Sequence, residues 1–139
     1  MHSIERDLAA IPGCALRIYQ GALFENSLKT LANETGQSDP DWLSARVENM
    51  LLSNGTALVQ MRALYVKAEA LLMRYRQLPD ADPLKITSFE VSCLHTINRQ
   101  MARLEENEKR FRQLLKAIRE AKKQRSLISL TQLMKQLSS

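Results

Sequence analysis

Histidine, cysteine, glycine and proline are all scarce in this 139-residue chain, which has two, two, four and four of them. Cys14 and Cys93 lie far apart and form no CxxC pair, which argues against a disulfide scaffold and a zinc ribbon and fits a reducing compartment. The histidines are His2 and His95. Cys93 and His95 are two positions apart, about 200° around a helix, so they cannot form a thiol–imidazole dyad. Cys14, Cys93 and His95 have no recognised metal-ligand spacing. Without a Glu-x-x-His pattern, a di-iron bundle is also disfavoured. His95 is followed by Thr96, Ile97, Asn98 and Arg99, whereas phosphotransfer bundles usually place Lys and then Gly there. The expectation is a protein that is not an enzyme and uses no metal, cofactor or small-molecule substrate. The first ten residues, MHSIERDLAA, include Glu5, Arg6 and Asp7, so they do not read as a secretory leader. The aliphatic runs are far shorter than a membrane span. The expected location is the cytoplasm, with no membrane partner.

What remains is rich in helix formers. Ala, Leu, Glu, Lys, Arg, Gln and Met dominate, and 45% of residues are hydrophobic, enough for a core. The expected fold is an all-α, four-helix bundle-like domain spanning residues 1–139. The first helix is placed at about 12–35, with Pro12 in its first turn, a stripe of Leu16, Tyr19, Leu23, Phe24, Leu28 and Leu31, and Gly36 as stop. Ser3 to Ala10 form a separate short turn. SDPDW opens a second helix at about 40–53, with Ser38 or Asp39 as cap and Pro40 in the first position. Trp42 is expected to seal a corner of the core, and Asn54-Gly55 to end the helix. A third helix, about 57–78, carries Leu58, Met61, Tyr65, Ala68, Leu72 and Tyr75 on one line and Val59, Val66 and Met73 on a second. Apolar on several sides, it is expected to be central.

Pro79, Asp80, Asp82 and Pro83 make a stiff acidic loop. A fourth helix follows at about 88–125, opened by a Thr87/Glu90 capping box. Leu94, Ile97, Met101, Leu104, Glu108, Phe111, Leu115 and Ile118 step by three and four, a heptad seam with one flaw at Glu108. The third and fourth helices should form a long antiparallel hairpin in which the fourth, about 57 Å long, outruns the third, about 33 Å. A short amphipathic helix at about 129–137 carries Leu130, Met134 and Leu137, after a second capping-box spacing at Ser129 and Gln132. The projecting seam, Phe111, Leu114, Leu115 and Ile118, together with Leu130 and Met134, is the expected surface for a protein partner or a second copy. An adaptor, assembly factor or chaperone-like subunit is the function class this implies.

Charge is unevenly distributed. Residues 1–98 hold nine bases against eleven acids, a net −2, and residues 99–139 hold eleven against four, a net +7. Glu105, Glu106 and Glu108 each stand four residues before a base, the favourable order for helical pairs. Lys109, Arg112, Lys116, Arg119 and Lys123 form one stripe. Such a stripe supports an alternative: a small basic subunit of a nucleoprotein complex that grips nucleic-acid phosphates without sequence preference. Phe111 is the lone aromatic in this stretch, thin for a single-strand binder that stacks bases. The balance favours a protein partner.

Overall fold

The structure, a computed structural model, describes residues 3–22, 31, 39–124 and 128–138, with backbone alone for 124 and 128–131. It is an all-α, bundle-like fold with a long helix hairpin and a short C-terminal helix. The described elements are α1 (Ser3–Gly21), α2 (Pro40–Arg76), α3 (Pro83–Phe89), a π-helical turn (Glu90–Leu94), α4 (His95–Gln124) and α5 (Ile128–Ser138).

α1 begins at Ser3 and runs straight through Pro12. Pro12 removes one backbone donor, a cost of about 3 kcal/mol. Leu8, Ile11 and Ala15 are buried on both sides of it at steps of three and four, and that stripe holds the helix together. Leu16, expected inside, is half exposed. Of the rest of the expected first-helix stripe, Leu23, Phe24 and Leu28, with the Gly36 stop, lie outside the described residues; Leu31 is buried.

The largest departure is α2. Helices expected at 40–53 and 57–78 are one helix of 37 residues. Asp39 caps it, its carboxylate accepting from the Asp41 N–H at 3.0 Å and its carbonyl from the Leu43 N–H at 3.0 Å; Ser38 lies outside the described residues. Asn54-Gly55 does not stop it. A glycine inside a helix costs only about 1 kcal/mol, and burial on one face outweighs that. The inner positions are Leu43, Val47, Asn54, Ala57, Leu58, Met61, Leu64, Ala68, Leu71, Leu72 and Tyr75, with Met50 and Leu51 partly buried between Val47 and Asn54. This is an unbroken run of three- and four-residue steps, and Asn54 is part of it.

Several hydrogen bonds close the turn after Arg76. The Gln77 and Leu78 N–H groups donate to the Arg74 and Tyr75 carbonyls. The Tyr75 hydroxyl accepts from the Asp82 N–H at 3.0 Å, and Asp82 caps α3 by accepting from the Leu84 N–H at 2.9 Å. Pro83 takes the first position. The return helix thus starts earlier than expected. Thr87, placed by the sequence at a helix start, lies inside α3 and donates to the Pro83 carbonyl at 3.1 Å. The π turn follows, in which the His95 N–H reaches back to the Glu90 carbonyl. The Ser92 hydroxyl donates to Ser88 O at 2.6 Å and Thr96 to Ser92 O at 2.8 Å, side-chain bonds that compete with regular helix pairing.

By packing, the chain forms two compact units, Met1–Gly21 with Ala57–Leu104 and Ala22–Thr56 with Glu105–Ser139. In the first, Arg76 pairs with Glu90 at 2.7 Å, Lys85 stands 4.0 Å from Glu5, and Asn98 donates to the Tyr65 hydroxyl at 3.4 Å. In the second, Leu31, Leu43, Val47, Phe111, Leu114, Leu115, Ile118, Ala121 and Met134 form one apolar core, and Lys122 pairs with Asp41.

A Cβ added at Gly55 would meet no atom within 4 Å. Gly55→Ala should therefore stabilise the protein by about 0.5–1 kcal/mol, read as a higher midpoint in chemical denaturation. A break in α2 at this glycine would make the same substitution destabilising.

Candidate functional site

The seam of α4 follows a different line from the one the sequence suggested. After Leu104 the next inward residue is Asn107, only 2% exposed, and not Glu108, which is partly exposed. The line then passes through Phe111, Leu114 and Ile118 to Ala121. An apparent flaw at Glu108 is thus a buried amide at Asn107, whose side-chain oxygen has no hydrogen-bond partner among the described residues. The seam also extends one step past Ile118, its expected end.

The expected partner surface is core. Phe111, Leu114, Leu115, Ile118 and Met134 are all buried in the second unit, against Leu31, Leu43 and Val47. The stripe reads as uncovered only if a helix ends at Asn54. In the second unit Leu43 and Val47 of α2 share its cluster, and α5 brings Met134 and Leu137 onto it. The side chains of Leu130 and Ser129 lie outside the described residues.

The basic stripe is on the surface, as its spacing implies. Lys109, Arg112, Lys116, Arg119 and Lys123 are all exposed. Two are engaged locally: Lys109 with Glu106 at 4.0 Å and Arg112 with Glu108 at 2.9 Å. Lys116, Arg119 and Lys123 join Glu120 and Lys122 in lining a shallow hollow of about 440 Å³. Asp41 beside Lys122 raises the ammonium pKa, chiefly through the hydrogen bond between them.

Trp42 does not seal the core. It is 43% exposed, with the Arg46 guanidinium 5.8 Å from its ring centre, a cation–π stack on the surface. Cys93 is buried and its thiol pKa is pushed up by that burial; His95 two residues on is exposed. Among the described residues, no group of three or more His, Cys, Asp and Glu could hold a metal ion, and no helix is long and apolar enough to cross a membrane.

The outer face of α2 carries an apolar line that the sequence pattern places inside. Val59, Val66 and Met73, expected inside a central helix, are 64%, 65% and 64% exposed. Ala63 and Ala70, between them, are exposed as well. The stripe lies on the side of the helix opposite Met61, Leu64, Ala68 and Tyr75. A signal was present in the sequence. Charged residues at 62, 67, 69, 74 and 76 flank the outer line, whereas the arc of Leu58, Met61, Leu64, Tyr65, Ala68, Leu71, Leu72 and Tyr75 contains none. Against models of known families, curated proteins and solved structures alike, the chain finds no match.

Since Leu114 is fully buried, Leu114→Ala should cost about 2–5 kcal/mol of folding stability. Lys116→Ala should change it by less than about 0.5 kcal/mol. Urea denaturation of the two variants checks the contrast; equal, small effects would place the stripe on the surface after all.

Proposed function

We propose that this chain is a non-enzymatic helical interaction protein, an adaptor, assembly factor or chaperone-like subunit, that binds a partner helix or a second copy through the outer face of α2. One observation supports this above the others: Val59, Val66 and Met73 stand nearly two-thirds exposed at seven-residue spacing. Single exposed apolar residues are ordinary on protein surfaces. A line of them in heptad register, filled in by Ala63 and Ala70, is the pattern of a helix seam that lacks its other half. The free thiols of Cys14 and Cys93 suit a reducing, cytoplasmic setting.

A second reading has support of its own. Exposed Lys116, Arg119 and Lys123 would contact the phosphates of a nucleic acid, in the manner of a small subunit of a nucleoprotein complex. One experiment separates the two. Tagged wild type, Val66→Asp and the triple variant Lys116→Glu, Arg119→Glu, Lys123→Glu are used to capture partners from extract, with and without nuclease. The interaction reading expects a protein that survives nuclease, is lost with Val66→Asp and is kept by the triple variant. Capture that depends on intact nucleic acid and disappears with the triple variant favours the second reading, and its affinity should then fall steeply with salt.

A further inference from the structure

We propose that the stripe from Val59 to Met73 on α2 is the seat of one acidic amphipathic helix from a different protein. This rests on the interaction reading above and names the partner's chemistry.

The stripe's dimensions specify a helix. Val59, Ala63, Val66, Ala70 and Met73 step by four, three, four and three, a seam about 21 Å long. Larger and smaller side chains alternate along it. The two alanines leave the backbone uncovered at every second step, so the apolar knobs of a facing helix can settle between Val59, Val66 and Met73. The platform beneath is firm, since the opposite side of the same turns is buried at Met61, Leu64, Ala68, Leu71, Leu72 and Tyr75.

The flanks specify the charge. Gln60, Lys67 and Arg74 run along one side and Arg62, Glu69 and Arg76 along the other, four bases against one acid. Arg76 already meets Glu90 at 2.7 Å. Lys67 and Arg74 are exposed and make no ion pair among the described residues. In a helix seam the flanking charges select the partner. A second copy would set the same four bases against their own kind, which disfavours it. A lipid surface fits poorly, because interfacial helices use a broad face rich in Trp, Phe and Leu, and this stripe is narrow and built of Val, Ala and Met. A helix with large apolar residues at three- and four-residue steps and Glu or Asp on both flanks satisfies every feature.

The test uses the full chain and three synthetic helical peptides about three heptads long. All carry the same Leu seam and differ in their flanks, which are Glu, Gln or Lys. Fluorescence anisotropy should show the Glu peptide binding about tenfold more tightly than the Gln peptide, and the Lys peptide not binding. High salt should erase the difference between the Glu and Gln peptides. Val66→Asp should abolish binding. The exposed pair Lys67→Glu, Arg74→Glu, which leaves the core untouched, should switch the preference to the Lys peptide. Equal binding of all three peptides, or of none, overturns the proposal. If none binds while Val66→Asp still loses a nuclease-resistant partner from extract, the acidic helix is wrong and the interaction reading stands. A wild-type dimer in sedimentation that Val66→Asp dissolves makes a second copy the occupant and overturns it, as does binding to phosphatidylserine vesicles without binding to the Glu peptide.

Discussion

Continuity of the hydrogen-bond ladder through Asn54 and Gly55 is the constraint on which the rest depends. A helix interrupted there would be free to restart with any face inward. An uninterrupted one fixes the direction of every later side chain by the 3.6-residue period. From Leu43 to Tyr75 the inward positions follow without a missed step. Fixing the inner line also fixes the outer one: once Met61, Leu64 and Ala68 are inside, Val59, Val66 and Met73 are outside. The exposed stripe is thus a geometric result of the core.

The C-terminal seam finds its cover in the first part of the same helix. Phe111, Leu114, Leu115 and Ile118 need apolar cover, and Leu43 and Val47 supply it within the second unit. Burial there comes with a polar intrusion at Asn107 and another at Asn54, which is 1% exposed. Buried amides at seam positions cost stability and narrow the set of alignments a helix pair accepts. Two of them in one small unit disfavour a slipped alignment, since displaced amides would face apolar neighbours and lose whatever local bonding they have.

Much of the architecture was legible. Helix-forming composition, the scarcity of Gly and Pro, and the apolar spacing gave the all-α hairpin, and Pro79, Asp80, Asp82 and Pro83 marked its turn. Pro40 and Asp39 marked the start of α2 for the physical reasons that make them good starters. The departures have one origin: local stop signals are visible in the sequence, and the packing that opposes them is not. Pro12 and Asn54-Gly55 are weak points worth a few kcal/mol at most, and buried stripes cross both. The two apolar lines on α2 could not be ranked by hydrophobicity, because Val and Met score as well outside as inside. Charge on their borders separates them. The step from Leu104 to Asn107 was hidden because a polar residue stands where the pattern called for an apolar one.

The π turn at Glu90–Leu94 has a bearing on the chain's tolerance of changes in length. A wide turn holds one more residue than a regular one over nearly the same span. An extra residue in an ordinary helix would swing everything after it by about 100° and turn its seam toward solvent. Here the surplus is taken up within a single turn, where the Ser92 and Thr96 hydroxyls donate to the Ser88 and Ser92 carbonyls, and Cys93, Leu94 and Ile97 all remain inward. The π turn thereby carries one extra residue between α3 and α4 without turning the inner face of α4 outward. Losing that one residue would return a regular helix with its inner faces still aligned.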